Sequence, residues 1–233
     1  MGQKTGGEVS GSPYLPFSVS FLESPALPFI LDQFLPLSPI APNMRIISGT
    51  AGGLQLKVPK GHKIRPTADQ VREAIFNIIT SRFTLEGIAV LDLFAGTGAL
   101  GIEALSRGAK SAVFVDANPD AQRLILENLA LTNFRRQGRL IRAYAKKGIR
   151  VVEEQGLRFG GVFLDPPYDE GWVDKVLRAL AQSAILEPQA WVVVEHSQHE
   201  VGKDTYPPLL LTDRRRYGTT GVSFYQRQTE EAA

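Results

Sequence analysis

The chain has 233 residues, of which 43% are hydrophobic and 21% charged, and its formal net charge is +2. This composition is typical of a globular protein that can bury one sizeable hydrophobic core. Because the chain has no cysteine, a disulfide scaffold, a thiolate zinc site and a cysteine nucleophile are excluded. We expect a cytoplasmic protein, and the small excess of basic residues is compatible with an anionic partner.

The first 43 residues differ in composition from the rest, since they hold seven of the 15 prolines. These prolines interrupt every apolar run before it reaches the roughly seven residues that a signal-peptide core needs. The sequence also has no run of the roughly 18 apolar residues that span a membrane. We therefore predict a disordered extension over 1–43 and one domain over 44–233, in which a hairpin and a helix (44–87) precede a catalytic core (88–228).

The predicted elements of that domain begin with a β-hairpin formed by residues 45–50 and 54–58, around several glycines. A helix over 68–83 follows, and it begins with a capping box made by Thr67 and Gln70. Strand and helix then alternate, and the last two strands form an antiparallel pair. The predicted strands are 88–94, 111–115, 139–142, 161–164, 190–195, 209–216 and 221–226, and the predicted helices are 100–106, 119–131 and 172–181.

This alternation predicts an α/β fold with a doubly wound, mostly parallel sheet of seven strands. Such sheets bind ligands at the carboxyl ends of their strands. Chemistry is therefore expected in the loops that follow the strands.

The first of these loops reads Asp92-Leu-Phe-Ala-Gly96-Thr-Gly98. Its glycines allow a sharp turn and a close approach to a ligand, and the next helix offers unpaired N–H groups. The glycine spacing also suits a nicotinamide cofactor. However, the carboxylate of Asp92 would repel a pyrophosphate and suits a ligand with a cation, such as an amino acid ammonium. Asp116 ends the next strand, where a carboxylate can accept both hydroxyls of a ribose.

The second loop reads Asp165-Pro-Pro-Tyr168 and follows the fourth strand. Its prolines fix the backbone and leave carbonyl oxygens as acceptors, while an ionised Asp165 only accepts hydrogen bonds. Tyr168 offers a flat face on which a base can stack. Hydrogen bonds from an exocyclic amine to Asp165 and to the Pro166 carbonyl would favour a tetrahedral nitrogen with a lone pair available for attack.

Together, these two loops resemble those of class I S-adenosylmethionine-dependent amino-methyltransferases. The opening Met44-Arg-Ile-Ile-Ser-Gly49, the segment Arg65-Pro-Thr67 and the segment Val71-Arg-Glu-Ala74 resemble the RsmD family, bacterial enzymes that methylate guanine N2 in small-subunit (16S) ribosomal RNA. The resemblance covers about residues 44–227. It implies S-adenosylmethionine as cofactor and small-subunit ribosomal RNA, or the assembling 30S particle, as partner. We also expect a monomer without a metal and without a membrane contact.

The resemblance further implies a role for each matching residue. One departure concerns the stretch Arg142-Ala-Tyr-Ala145, which lacks the acidic or amide residue that receives the adenine amine in many relatives, so that Tyr144 or backbone atoms would take this role. The expected cofactor residues are Asp92, Phe94, Gly96, Thr97, Gly98, Asp116, Tyr144 and Ala145; the catalytic residues are Asp165, Pro166, Pro167 and Tyr168; and the RNA contacts are Arg65, Arg72, Arg214, Arg215, Arg216 and Tyr217.

Three other interpretations stay open at this point. A DNA adenine-N6 methyltransferase shares the Asp-Pro-Pro-Tyr chemistry, although no segment is long enough for an added recognition region. A dehydrogenase leaves residues 165–168 without a role, and a non-catalytic RNA-binding assembly factor needs neither Asp92 nor Asp165. The seven basic residues between 135 and 150 suit a solvated face and phosphate contact equally. His196 and His199 lack a third ligand and are expected to lie in a solvent-facing loop.

Overall fold

The computed structural model describes residues 44–59 and 66–229, and for residues 66–68 it describes the backbone alone. The predictions made for residues 1–43, for Arg65 and for the Thr67 side chain lie outside the described residues. The described helices begin with α1 (Pro66–Arg82), close to the predicted span, and continue with α2 (Ala99–Ser106), α3 (Pro119–Leu131), α4 (Ala145–Glu154) and α5 (Trp172–Gln182).

Within the described residues, eight strands form a single sheet in the order β3-β2-β1-β4-β5-β8-β7-β6. The first five strands pair in parallel and the last three pair antiparallel, so the predicted doubly wound, mostly parallel sheet is confirmed. The predicted count of seven strands was wrong, because the two-residue β6 is too short to leave a sequence pattern. The strands are β1 (Ala89–Leu93), β2 (Ser111–Asp116), β3 (Gly138–Arg142), β4 (Phe159–Leu164), β5 (Leu186–Ser197), β6 (Thr205–Tyr206), β7 (Leu209–Tyr217) and β8 (Thr220–Arg227).

The helices cover both faces of the sheet and divide the core into two layers. On one face, α1, α2 and α3 bury side chains such as Phe76, Ile102 and Ile125. On the other face, α4 and α5 bury side chains such as Ile149 and Leu177. The strand residues of the sheet alternate between these two layers, as the two-residue period of a strand requires.

The predicted N-terminal hairpin is reduced to a turn-rich loop with a single antiparallel bridge, between Arg45 and Gln55. Backbone hydrogen bonds from Ile46 to the Leu54 carbonyl and from Leu56 to the Met44 carbonyl flank this bridge, and side chains of α2 accept from other donors of the loop. The Glu103 carboxylate, which is fully buried, accepts from the N–H groups of Ile47 and Ser48 at 2.7 and 3.0 Å. The loop therefore packs on α2, directly beside the turn that connects β1 to α2.

Candidate active site

The loops after β1 and β4 lie side by side, because these strands pair in parallel with Leu93 opposite Leu164. Between them is a cavity of about 160 Å³ at the carboxyl edge of the sheet. Asp92 and Thr97 line it from the first loop and Asp165 from the second. The two motifs that the sequence singled out therefore share one site.

Asp92 is the most deeply buried acid of this cavity, with 1% of its surface exposed. Its Oδ2 accepts from the N–H of Gly101 at 2.9 Å, whereas Oδ1 has no hydrogen-bond partner among the described residues. A side chain at position 101 is excluded, because a Cβ there would lie 2.4 Å from the Phe114 ring. Burial, with a smaller contribution from the charge of Asp116, raises the pKa of Asp92 to about 8.

The first loop turns through three residues with left-handed backbone, Phe94 (φ 59°), Gly96 (φ 56°) and Gly98 (φ 79°). A left-handed backbone is expected for the glycines of this loop but not for Phe94, because such a conformation costs a bulky residue about 1–3 kcal/mol. Its ring packs edge-on against Trp172, 5.8 Å away. Backbone strain at Phe94 is typical of loops at ligand-binding sites.

Asp116 holds the first loop against the end of β2. Its Oδ2 accepts from the N–H of Gly96 at 2.8 Å, and its Oδ1 accepts from the N–H of Asn118 at the same distance. A carboxylate oxygen can accept more than one hydrogen bond, so Asp116 can still receive the hydroxyl groups of a ligand.

Asp165 follows β4 and receives no side-chain hydrogen bond from the described residues. The residue is exposed to solvent, but the protein atoms around its carboxylate displace much of the hydration of that group. This desolvation, together with the charges of Glu195 and Asp92, raises the pKa of Asp165 well above its usual value. Asp165 is thus a strong acceptor that lacks a partner within the described part of the protein.

Sequence reasoning missed Glu195, which lies near the carboxyl end of β5 and lines the same cavity. Its Oε1 accepts a hydrogen bond from the hydroxyl of Tyr168 at 2.8 Å. Burial raises the pKa of Glu195, while this hydrogen bond opposes the shift. Its position at the edge that also carries Asp92 and Asp165 is the one signal in the sequence that could have indicated it.

Arg72 of α1 also lines the cavity, and its predicted contact with RNA stays a prediction. The residue is 4% exposed, and its Nη2 donates to the Arg45 carbonyl and to the Asp69 carboxylate. Its Nε has no partner among the described residues. Burial lowers the pKa of Arg72, and the charges of Asp69, Glu103 and Glu195 oppose this effect.

The basic run 214–216, expected to contact RNA, does not form one surface, because the residues of β7 alternate between the two faces. Arg215 stands opposite Val222, and Tyr217 packs against the core layer that contains Val222, so Arg214 and Arg216 point to the other face. The three arginines also bind within the protein, to Asp204, to Asp213 and to the Gly218 carbonyl respectively. Their contact with RNA stays a prediction.

The remaining expected residues lie close to the site but outside the cavity wall. Tyr144 is the N-cap of α4 with 71% of its surface exposed, and Ala145 is buried in the first turn of that helix. Pro166 is buried and Pro167 is exposed. A role of Tyr144 or Ala145 in adenine recognition therefore stays a prediction.

His196 is buried, contrary to the expectation of a solvent-facing loop, because it belongs to β5. Its Nε2 lies 2.9 Å from the Ser223 hydroxyl, and burial lowers its pKa. Within residues 44–59 and 66–229, no group of three or more histidine, aspartate or glutamate side chains could hold a metal ion. None of the helices in these ranges is long and apolar enough to cross a membrane.

Comparisons with known proteins agree with this site. The family model described as "Conserved hypothetical protein 95" matches residues 44–226. YlbH of Bacillus subtilis (strain 168) is 37% identical over 185 residues, 79% of this chain and 100% of that protein. Ribosomal RNA small subunit methyltransferase D of Escherichia coli (strain K12) is 32% identical over 188 residues, 80% of this chain and 91% of that protein.

A solved structure also resembles this chain. The structure of a hypothetical protein from Thermus thermophilus matches with a TM-score of 0.65 and 31% identity, over 80% of this chain and 99% of that chain. The family model, which covers residues 44–226, includes the loop of Asp92 and the Asp165–Tyr168 segment. The chain therefore belongs to the family of ribosomal RNA small subunit methyltransferase D, the RsmD family.

Proposed function

We propose that this methyltransferase transfers a methyl group from S-adenosylmethionine to the exocyclic N2 amine of a guanine in small-subunit ribosomal RNA. The carboxylate of Asp165 carries the proposal: it lines the same cavity as Asp92 and has no hydrogen-bond partner among the described residues. The name of the Escherichia coli relative supports ribosomal RNA as the substrate class.

The cavity fits the amino acid portion of S-adenosylmethionine. The buried Oδ1 of Asp92 and the buried Nε of Arg72 both lack partners among the described residues, and an unpaired buried polar group is costly unless a ligand satisfies it. We therefore assign the ligand's ammonium to Asp92 and its carboxylate to Arg72, in place of the RNA contact expected for Arg72. When bound, S-adenosylmethionine supplies a methyl group on a positively charged sulfur.

The first loop would hold the rest of the cofactor. Asp116 would accept the ribose hydroxyls, and the backbone of Gly96, Thr97 and Gly98 would approach the ligand closely at the start of α2. Phe94 and Tyr144 would contact the cofactor from the ends of β1 and β3. Fixing both reactants in this way contributes to catalysis by proximity and orientation, with no covalent intermediate.

The second loop would prepare the acceptor. Asp165 and the Pro166 carbonyl would accept hydrogen bonds from the two N–H groups of the amine, which favours a tetrahedral nitrogen. Asp165 would also receive the proton that the methylated nitrogen releases, and a pKa above its usual value would make it a stronger base than an ordinary carboxylate. The ring of Tyr168 would stack on the base, with its hydroxyl fixed by Glu195.

The test is transfer of labelled methyl groups to small-subunit ribosomal RNA and to 30S particles, followed by nucleoside analysis. The proposal expects the label in N2-methylguanosine. Label in N6-methyladenine of DNA would support the DNA enzyme instead. Tight binding of RNA without any transfer would support the assembly factor.

A further inference from the structure

The positive charge of this protein is concentrated in one short segment. Between Glu127 and Glu153 the sequence has seven basic residues and no acidic one. The formal net charge of the whole chain is +2, so subtracting these seven leaves −5 for all other residues. We call the seven residues the basic edge: Arg135, Arg136, Arg139, Arg142, Lys146, Lys147 and Arg150.

In the structure the side chains of the basic edge are free, and they occupy both faces of the sheet edge, since Arg139 and Arg142 lie three residues apart on β3. All seven side chains are exposed, and none takes part in the ion pairs or side-chain hydrogen bonds found among the described residues. Several exposed cations elsewhere are paired: Lys57 with Glu127, Arg123 with Asp120, and Arg178 with Asp174. The basic edge therefore keeps its charges available to an outside partner.

The fold arranges these residues along one side of the sheet. Arg139 and Arg142 lie on β3, the edge strand, which is five residues and hence about 13 Å long. Arg135 and Arg136 precede β3, and the other three lie on α4 directly after it. The exposed ring of Tyr144 lies at the junction of β3 and α4.

Charged side chains on an edge strand also prevent pairing with a second sheet. That role requires the residues of the strand itself, and five of the seven lie outside β3. A row of unpaired arginines and lysines next to an exposed aromatic ring is instead typical of surfaces that follow a nucleic acid backbone.

The basic edge and the reaction centre lie within reach of one RNA strand. The strand order places β3 three positions from β4, so the carboxyl ends of the two strands are about 14 Å apart. Tyr144 and Asp165 both follow these ends. A strand that crosses the basic edge can therefore continue to Asp165 within a few nucleotides.

We propose that the basic edge binds the phosphodiester backbone of the substrate RNA outside the nucleotide that is methylated. This inference rests on the proposed function, since it assumes that RNA is the substrate. The surface differs from the run 214–216, whose arginines bind within the protein.

The test measures the affinity of a fluorescein-labelled transcript of small-subunit ribosomal RNA by anisotropy at several salt concentrations. The variant is the full-length triple substitution Arg136→Gln, Arg139→Gln and Arg150→Gln, which leaves the residues near Tyr144 unchanged. Each phosphate contact contributes about 0.7–0.9 to the slope of log affinity against log salt, so we expect the slope to fall by about 2. KM for RNA should rise several-fold, while the turnover number and the affinity for S-adenosylhomocysteine should not change.

The matched control is the triple substitution Lys57→Gln, Arg123→Gln and Arg178→Gln, which removes the same charge from paired positions. An unchanged slope in the Arg136, Arg139 and Arg150 variant, or an equal fall in the control, would overturn the proposal. The proposal would also be overturned if the wild-type protein bound duplex DNA more tightly than RNA. If wild-type protein methylates no ribosomal RNA, the proposed function itself is wrong. If methylation is normal but the salt slope of the variant is unchanged, only the role of the basic edge is wrong.

Discussion

The hydroxyl of Tyr168 donates a hydrogen bond of 2.8 Å to the carboxylate of Glu195, and thereby joins the loop after β4 to the end of β5. The Thr220 hydroxyl lies 3.4 Å from the Tyr168 hydroxyl oxygen. Burial and the negative charge of Glu195 raise the pKa of Tyr168, so the phenol stays protonated and keeps donating. The ring that we propose as a stacking surface is thus held in one orientation.

This relationship predicts different effects for two substitutions of Tyr168. Tyr168→Ala removes the ring, and we expect RNA binding to weaken by about 1–3 kcal/mol. Tyr168→Phe keeps the ring and loses only the hydrogen bond, a loss of about 0.5–1.5 kcal/mol, so it should stay largely active. Titration of RNA with each variant measures both effects. If Tyr168→Phe loses as much affinity as Tyr168→Ala, the hydroxyl and not the ring is the important group.

The raised pKa of Asp92 predicts that cofactor binding depends on pH. Asp92 must be ionised to hold an ammonium group, and in the free protein its pKa is about 8. Affinity for S-adenosylhomocysteine should therefore rise with pH by up to about tenfold per unit below that value, and level off above it. Calorimetry at several pH values measures this. Asp92→Asn should bind weakly and without this slope, and an identical slope in that variant would contradict the assignment.

The same carboxyl makes the free protein less stable as the pH rises. The pKa of Asp92 is higher in the folded protein than its ordinary 3.8, so between these two values the folded state binds more protons than the unfolded state. The free energy of unfolding therefore falls with rising pH over this window. Thermal melts of ligand-free protein should show a steeper fall for the wild type than for Asp92→Asn.

The unpartnered Nε of Arg72 predicts a selective loss of affinity. Arg72→Gln should weaken the binding of S-adenosylhomocysteine by about 1.5–3 kcal/mol, the range for a hydrogen bond to a charged group. Binding of 5′-methylthioadenosine, which lacks the amino acid portion, should not change and also shows that the variant is folded. Equal losses for both ligands would contradict the contact with the carboxylate.

The composition of residues 1–43 predicts that they are dispensable. A chain that starts at Met44 should fold and bind S-adenosylhomocysteine as the full chain does, because Glu103 fixes the loop 47–48 from within the domain. Melting temperature and calorimetry compare the two chains. A large loss of either would show that the first 43 residues stabilise the domain.

Much of the sheet and the location of the site could be predicted, because their signals are local. The strands β1, β2, β4 and β5 have apolar runs, and glycine or proline motifs directly follow β1 and β4. The helix α4 was missed although its signal is present, since its buried residues Ala145, Gly148, Ile149 and Val152 recur at helical spacing. The strand β6, which raises the count to eight, is only two residues long.

The roles of Glu103, Arg72 and Glu195 could not be predicted because their partners are distant in the chain. Glu103 holds backbone groups 55 and 56 residues away, and Glu195 meets Tyr168 across 27 residues. No periodicity encodes such pairs, and only the packed fold selects them. The alternation along β7, in contrast, follows from the strand period and could have separated Arg215 from its neighbours.

The most direct test of the account compares wild-type protein with Asp165→Ala, which removes the acceptor, in single-turnover methyl transfer to small-subunit ribosomal RNA or 30S particles. Asp165 contributes most as the amine becomes tetrahedral, so its loss should lower the rate of transfer far more than it weakens RNA binding. The account predicts label in N2-methylguanosine with the wild type and a severe loss of rate, at nearly unchanged RNA affinity, with the variant. Full activity of Asp165→Ala would contradict the proposed chemistry.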